Sequence, residues 1–216
     1  MKVLAIHGSG LNFFWHIGFL ESLDKKVLDS YQIYSCSGGS LASVLYLCNI
    51  KVENIINNFR NMENFSLNYL LNNMKELLNK IIPDDCIEKC KNLNIVYWKI
   101  FDGIKIKNNF KSKKELIEYI TITCRLPFTL KNFWEICKSF CMDPLRIDIE
   151  EEMKKILDDD IEYFKIKFQY DIRMSAYDCF VLQDIDEYQK KYQYGKDFGK
   201  YNVNISDNNF VYEINI

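Results

Sequence analysis

A serine set in Ser35-Cys36-Ser37-Gly38-Gly39-Ser40, between an apolar run and a helical one, is the residue of this 216-residue chain best placed for nucleophilic chemistry. A strand that runs straight into a helix through small residues must turn sharply, and the side chain at the apex then projects away from the sheet. Backbone N–H groups at the helix start point toward that apex and can hold a developing oxyanion. The usual elbow is G-x-S-x-G, and here Ser35 replaces the first glycine. The same residues also suit a plain tight loop in which Ser40 caps a helix.

A serine hydroxyl needs a base. The chain has only two histidines, His7 and His16, and both precede the elbow. The Ser–acid–His order of α/β-hydrolases is therefore excluded by inventory. His7 ends the preceding strand and reads as structural. His16 falls among Phe13, Phe14 and Trp15 and reads as a packed histidine. A carboxylate base is what remains.

The glycines of His7-Gly8-Ser9-Gly10 form a second loop, between the strand Lys2–Ile6 and a helix from Phe13 to about Lys25. Such a loop offers N–H donors to an anion. A dinucleotide fingerprint fails, because Phe13 stands where the third glycine belongs. The run Tyr31–Cys48 supplies the next strand and helix. Two glycine-rich turns on neighbouring parallel strands would face each other at the carboxyl ends, one supplying a nucleophile and the other donors.

The spacing then predicts helix from Lys51 to about Ile82, with Leu70, Leu71, Met74, Leu77, Leu78 and Ile81 on one face, as a sheet cover or a lid. A strand is expected over Asn94–Phe101, a hairpin at Asp102-Gly103, and a helix capped by Ser112 that runs to about Thr123. An irregular stretch leads through Trp134 to Asp143-Pro144. Beyond it the pattern predicts a charged helix over Asp148–Asp160, strands over Tyr163–Ile172 and Tyr177–Leu182, a helix from Asp184 to about Tyr192, and an edge strand or loop in the tail, Asn202–Ile216.

With 48% hydrophobic residues and a net charge of -2, the chain suits one core in a single domain, 1–216, and carries no basic footprint for nucleic acid. Only four apolar residues, Val3–Ile6, follow Lys2, so no leader or transmembrane segment is expected. Eight cysteines then read as reduced thiols in a cytoplasmic protein peripheral to membranes. Cys86 and Cys90, like Cys137 and Cys141, are four apart, which suits packing on helices better than the tighter spacing of zinc sites; no metal or cofactor is expected.

These residues resemble the patatin-like phospholipases, acyl hydrolases with a Ser–Asp dyad. Gly8–Leu11 followed by His16-Ile17-Gly18 looks like the family's oxyanion loop and the helix after it, in the adipose-lipase branch; Ser37-Gly38-Gly39-Ser40-Leu41 matches its elbow. Cys124-Arg125-Leu126-Pro127-Phe128 is similar to the segment before the second catalytic motif, normally Asp-Gly. The resemblance covers residues 1–145 and is loose over 146–216. It implies an α/β fold of three layers around a mixed, mainly parallel sheet, with Ser37 as nucleophile. It places the dyad aspartate on Asp143, ahead of the hairpin residue Asp102, and the oxyanion hole on Gly8, Gly10, Leu11 and Gly38. Carboxylic esters of phospholipids or acylglycerols at a membrane or droplet surface are the implied substrates. Ser9, Ser35 and Pro144 depart from the family pattern, so a catalytically impaired lipid-binding or regulatory protein is the alternative.

Overall fold

The computed structural model describes residues 1–60, 67–126, 130–144, 162–166, 173, 183–206 and 209–212. Strand β1 (Lys2–Ile6) leads through a 3-10 turn (Gly10–Asn12) into α1 (Phe13–Ser22) and α2 (Lys25–Leu28); β2 (Gln32–Ser35) leads into α3 (Ser37–Leu47). Then come α4 (Val52–Arg60), α5 (Leu67–Ile81), α6 (Cys86–Lys89), β3 (Leu93–Lys99), β4 (Gly103–Lys107), α7 (Lys113–Thr123), α8 (Leu130–Ser139) and β5 (Cys141–Met142). The described chain ends with β6 (Glu162–Ile166), α9 (Ile185–Asn202), β7 (Val203–Ser206) and β8 (Asn209–Tyr212).

Six strands form a mixed sheet in the order β4-β3-β2-β1-β6, with β5 added against β3. β1 pairs in parallel with both β2 and β6, and β2 with β3, while β4 and β5 run antiparallel to β3. The position of β1 between two partners explains its composition: Val3, Leu4, Ala5 and Ile6 are all fully buried. Helices flank the sheet, and the main core gathers Leu4, Ile6, Ile33, Leu93 and Ile95 with the apolar faces of α1, α3, α4, α5, α7 and α9. Val3, Tyr34, Cys36 and Val96 form a smaller cluster of their own. Among the described residues, no helix is long and apolar enough to cross a membrane.

Local chemistry sets most boundaries. Asp24 stops the expected Phe13–Lys25 helix by capping α2 instead, accepting from the Lys26 and Val27 N–H groups at 2.8 and 3.2 Å. Ser112 caps α7 through the Glu115 N–H at 3.2 Å, and the Glu115 carboxylate reaches back to the Lys111 N–H at 2.6 Å. Within the expected helix over 51–82 the described residues form α4 and α5. In α4, Val52, Ile55, Ile56 and Phe59 fall on one buried face.

Two expectations are corrected. The stretch through Trp134 is not irregular but the helix α8, and the helix expected to stop near Tyr192 continues to Asn202. Gly195 and Gly199, which follow the expected helix end, lie inside α9 where it crosses α1. The tail forms a separate hairpin, β7–β8. The expected helix over Asp148–Asp160, the strand over Tyr177–Leu182, and Pro127 and Phe128 lie outside the described residues.

His16 is 1% exposed inside α1 and packs edge-on to the Trp15 ring. Burial, reinforced by the nearby His7, lowers its pKa to about 3. The unfolded chain takes up this proton near pH 6.5, so stability is complete above that pH and is lost as pH falls toward 3, by about 2 kcal/mol at pH 5. His16→Phe is expected to flatten the urea-unfolding free energy between pH 6.5 and 4; an unchanged slope would refute this assignment.

Candidate active site

The parallel pairing of β1 and β2 sets their carboxyl ends side by side, Ile6 opposite Ser35. The two glycine-rich turns therefore leave the sheet together. Ser37 has φ 50, a left-handed conformation that a serine adopts only under constraint. The constraint is visible on each side. The Ser37 N–H donates to Thr123 Oγ1 at 2.9 Å, and that hydroxyl donates in turn to the Val96 carbonyl at 2.6 Å. Ser35 Oγ, where the usual elbow has glycine, lies 3.1 Å from Ser40 Oγ and ties the strand end to the first turn of α3. The departure at Ser35 is accommodated by this hydrogen bond.

The loop after β1 presses on the elbow. A Cβ on Gly38 would lie 2.5 Å from the Gly10 carbonyl oxygen and 2.8 Å from its nitrogen, and one on Gly8 would lie 3.1 Å from Ser37 Cβ. Gly10 itself has φ 51. The approach at Gly38 requires the absence of a side chain, and the one at Gly8 leaves a Cβ only tight room. Gly10, Leu11, Ser37 and Gly38 consequently line one cavity of about 50 Å³, closed by Leu41, Leu70 and other apolar side chains. Gly8 stands beside the Ser37 side chain.

Asp143 is 5% exposed and follows β5 directly. Its N–H donates to the Arg125 carbonyl at 3.1 Å. Thr123 and Arg125 thus hold Ser37 and Asp143 at the two ends of one three-residue segment. The charge of Asp143 reaches the thiols beside the serine: burial first, and Asp143 after it, pushes both Cys36 and Cys124 well above the ordinary thiol range. Both thiols therefore stay protonated at neutral pH. The guanidinium of Arg125 donates to Ser139 Oγ at 2.8 Å and to the Cys141 carbonyl at 3.4 Å, fastening the end of α8 and β5.

Neither a protein-family model nor a curated protein matches this chain.

The other sequence candidates are placed elsewhere. Asp102 sits in the β3–β4 connection, 43% exposed and 2.5 Å from Lys99 Nζ. Cys86 and Cys90 are core residues, Cys90 Sγ 4.0 Å from Cys48 Sγ, while Cys137 is exposed and Cys141 half-buried. Among the described residues, no three His, Cys, Asp or Glu side chains are grouped to hold a metal. A larger groove of about 850 Å³ opens at the amino end of β2, around Gln32. Its walls carry charges of both signs, such as the Lys89–Asp85 pair at 2.8 Å, and no candidate nucleophile.

Thr123 is the site residue for which sequence reasoning had no role, and Arg125 entered it only as part of the segment ahead of Asp143. Thr123 ends a helix like any other residue, and its partner Ser37 is 86 positions away. No local signal exists for such a contact.

Proposed function

We propose that this chain is a Ser–Asp acyl hydrolase of patatin-like, three-layer fold that cleaves lipid esters. The observation that carries the reading is Ser37 itself, held at φ 50 where two glycine-rich turns meet a largely apolar recess. Asp143 accepts the Ser37 proton as Oγ attacks the ester carbonyl carbon. The carbonyl oxygen becomes an oxyanion, received by the N–H groups of Gly10, Leu11 and Gly38 beside Gly8, each donor worth about 3 kcal/mol at such sites. The Ser37 N–H is committed to Thr123, so Gly38 is the elbow's donor. Collapse expels the alcohol, which takes the proton back from Asp143, and water then hydrolyses the acyl-serine by the same steps in reverse order.

The recess supports an acyl substrate. A second cavity of about 30 Å³ adjoins the first, and Phe13, Leu41, Leu70 and Met74 line both. Every side chain of the second is apolar, which favours hydrocarbon over polar groups there. On this reading α5 is the cover of the acyl site. Phe101, Phe133, Trp134 and Phe140, all exposed, support contact with a membrane or droplet surface from outside it.

Met74→Trp fills the passage between the two cavities. Turnover of p-nitrophenyl octanoate is expected to fall about tenfold or more relative to p-nitrophenyl acetate. Equal loss on both esters would remove the chain-length role of this recess.

A fluorophosphonate probe, followed by peptide mapping, tests the function directly: the label is expected on Ser37. The competing reading is a lipid-binding protein without turnover, favoured by Pro144, which leaves no N–H directly after Asp143. That reading requires an unlabelled Ser37.

A further inference from the structure

α9 brings a lysine into the core beside the candidate site. Lys191 is 3% exposed, and its ammonium donates to Asn12 Oδ1 at 2.6 Å. The Tyr188 ring faces the same ammonium, with its centroid at 6.0 Å. Removing an ammonium from water is costly and is tolerated where the partners are good and a role is served. Asn12 is fully buried and occupies the N-cap of α1, where an asparagine side chain ordinarily accepts from the helix's own N–H groups. It makes no such cap here. Its oxygen is turned to Lys191 instead.

The place of this pair gives it meaning. Asn12 closes the 3-10 turn that begins at Gly10, and its N–H donates to the Ser9 carbonyl at 2.9 Å. Gly10, two residues earlier, holds a left-handed backbone whose atoms bear on Gly38. The turn therefore has one firm contact at the elbow and one at Lys191. α9 is a rigid anchor for the second, because it crosses α1 at glycines and stacks Tyr188 on Phe14 with centroids 4.9 Å apart.

We propose that Lys191 is a positioning residue for the oxyanion loop: through Asn12 it holds the Gly10 and Leu11 amides in register with Ser37. Lys191 does not touch the substrate. It acts on the transition state by fixing donors that would otherwise drift, and small misplacements of such groups cost large factors in rate. The inference rests on the acyl-transfer reading above.

The test measures kcat and KM for a p-nitrophenyl ester, the fluorophosphonate labelling rate and the thermal midpoint in wild type, Lys191→Met, Lys191→Gln and Asn12→Ala. Lys191→Met is expected to lower kcat and the labelling rate by about tenfold or more with KM within about twofold. Lys191→Gln keeps a donor at nearly the same reach and is expected to recover most of that loss. Should Lys191→Met not fold, Asn12→Ala removes the acceptor and is expected to show the same fall in kcat. A folded Lys191→Met or Asn12→Ala that turns over at the wild-type rate overturns the proposal. So does a loss in which Gln is no better than Met and the rate follows the thermal midpoint. A wild-type chain inert to both ester and probe removes the acyl-transfer reading and this role with it, whereas an active wild type beside unaffected variants removes this role alone.

Discussion

Ser37→Ala is expected to lower ester turnover by about 10,000-fold or more, and Asp143→Asn by a comparable factor, with both proteins folded. The serine change takes away one oxygen. It leaves the backbone contacts that shape the elbow, since the Ser37 N–H bond to Thr123 does not involve the side chain. The aspartate change is nearly isosteric, and the backbone link from Asp143 to Arg125 persists in the same way. On the proposed mechanism, what Asp143→Asn removes is the capacity to accept the Ser37 proton and return it to the leaving alcohol. Asp102→Asn is the internal comparison, because Asp102 pairs with Lys99 in an exposed connection. Its turnover is expected within twofold of wild type, roughly the range of a surface change. The double variant Ser37→Ala/Asp143→Asn is expected to be no slower than Ser37→Ala, since a base without its nucleophile contributes nothing. Full turnover in Asp143→Asn, measured on a short soluble ester with circular dichroism unchanged, would move the base to another residue.

The parts of this arrangement that were legible in the sequence are those made by neighbours in the chain. The elbow declares itself because a strand-to-helix turn of this sharpness needs small residues in succession, and Ser35 to Ser40 supplies them. The Ser112 cap and the Asp102-Gly103 connection are equally local. The helix α8 was legible and passed over, since Leu130, Phe133, Trp134 and Cys137 stand at helical spacing; what the sequence does not show is that Phe133 and Trp134, 49% and 60% exposed, face outward while Asn132 is buried. The full length of α9 was hidden differently. Gly195 and Gly199 are breakers by composition, yet they serve as contact points between two helices, and only the partner helix reveals that. Thr123 and Lys191 represent the limit of sequence reading. Their hydrogen bonds span 86 and 179 residues, and nothing near either residue announces its partner.

The helix crossing gives the largest expected effect on stability. A Cβ on Gly195 would stand 1.9 Å from the Trp15 carbonyl oxygen, and one on Gly18 would stand 1.9 Å from the Tyr192 carbonyl oxygen. Both obstacles are backbone, so no side-chain rotation relieves them. Gly195→Ala must therefore push α9 away from α1, opening an interface where Phe198 packs on Trp15 and Phe19 with ring centroids 5.4 and 6.1 Å apart. Alanine favours a helix over glycine by about 1 kcal/mol, which opposes this effect but is smaller than the cost of overpacking against a rigid neighbour. A net loss of about 3 kcal/mol is expected, or roughly 10 °C in the thermal midpoint for a domain of this size. Gln193→Ala, on the exposed side of the same helix, is expected to stay within about 0.5 kcal/mol. Because α9 also carries Lys191, whatever Gly195→Ala protein remains folded is expected to label more slowly with the fluorophosphonate. A Gly195→Ala midpoint equal to wild type would mean that α1 and α9 do not meet at these glycines, and the proposed anchor of the Gly8–Leu11 loop would have to be sought elsewhere.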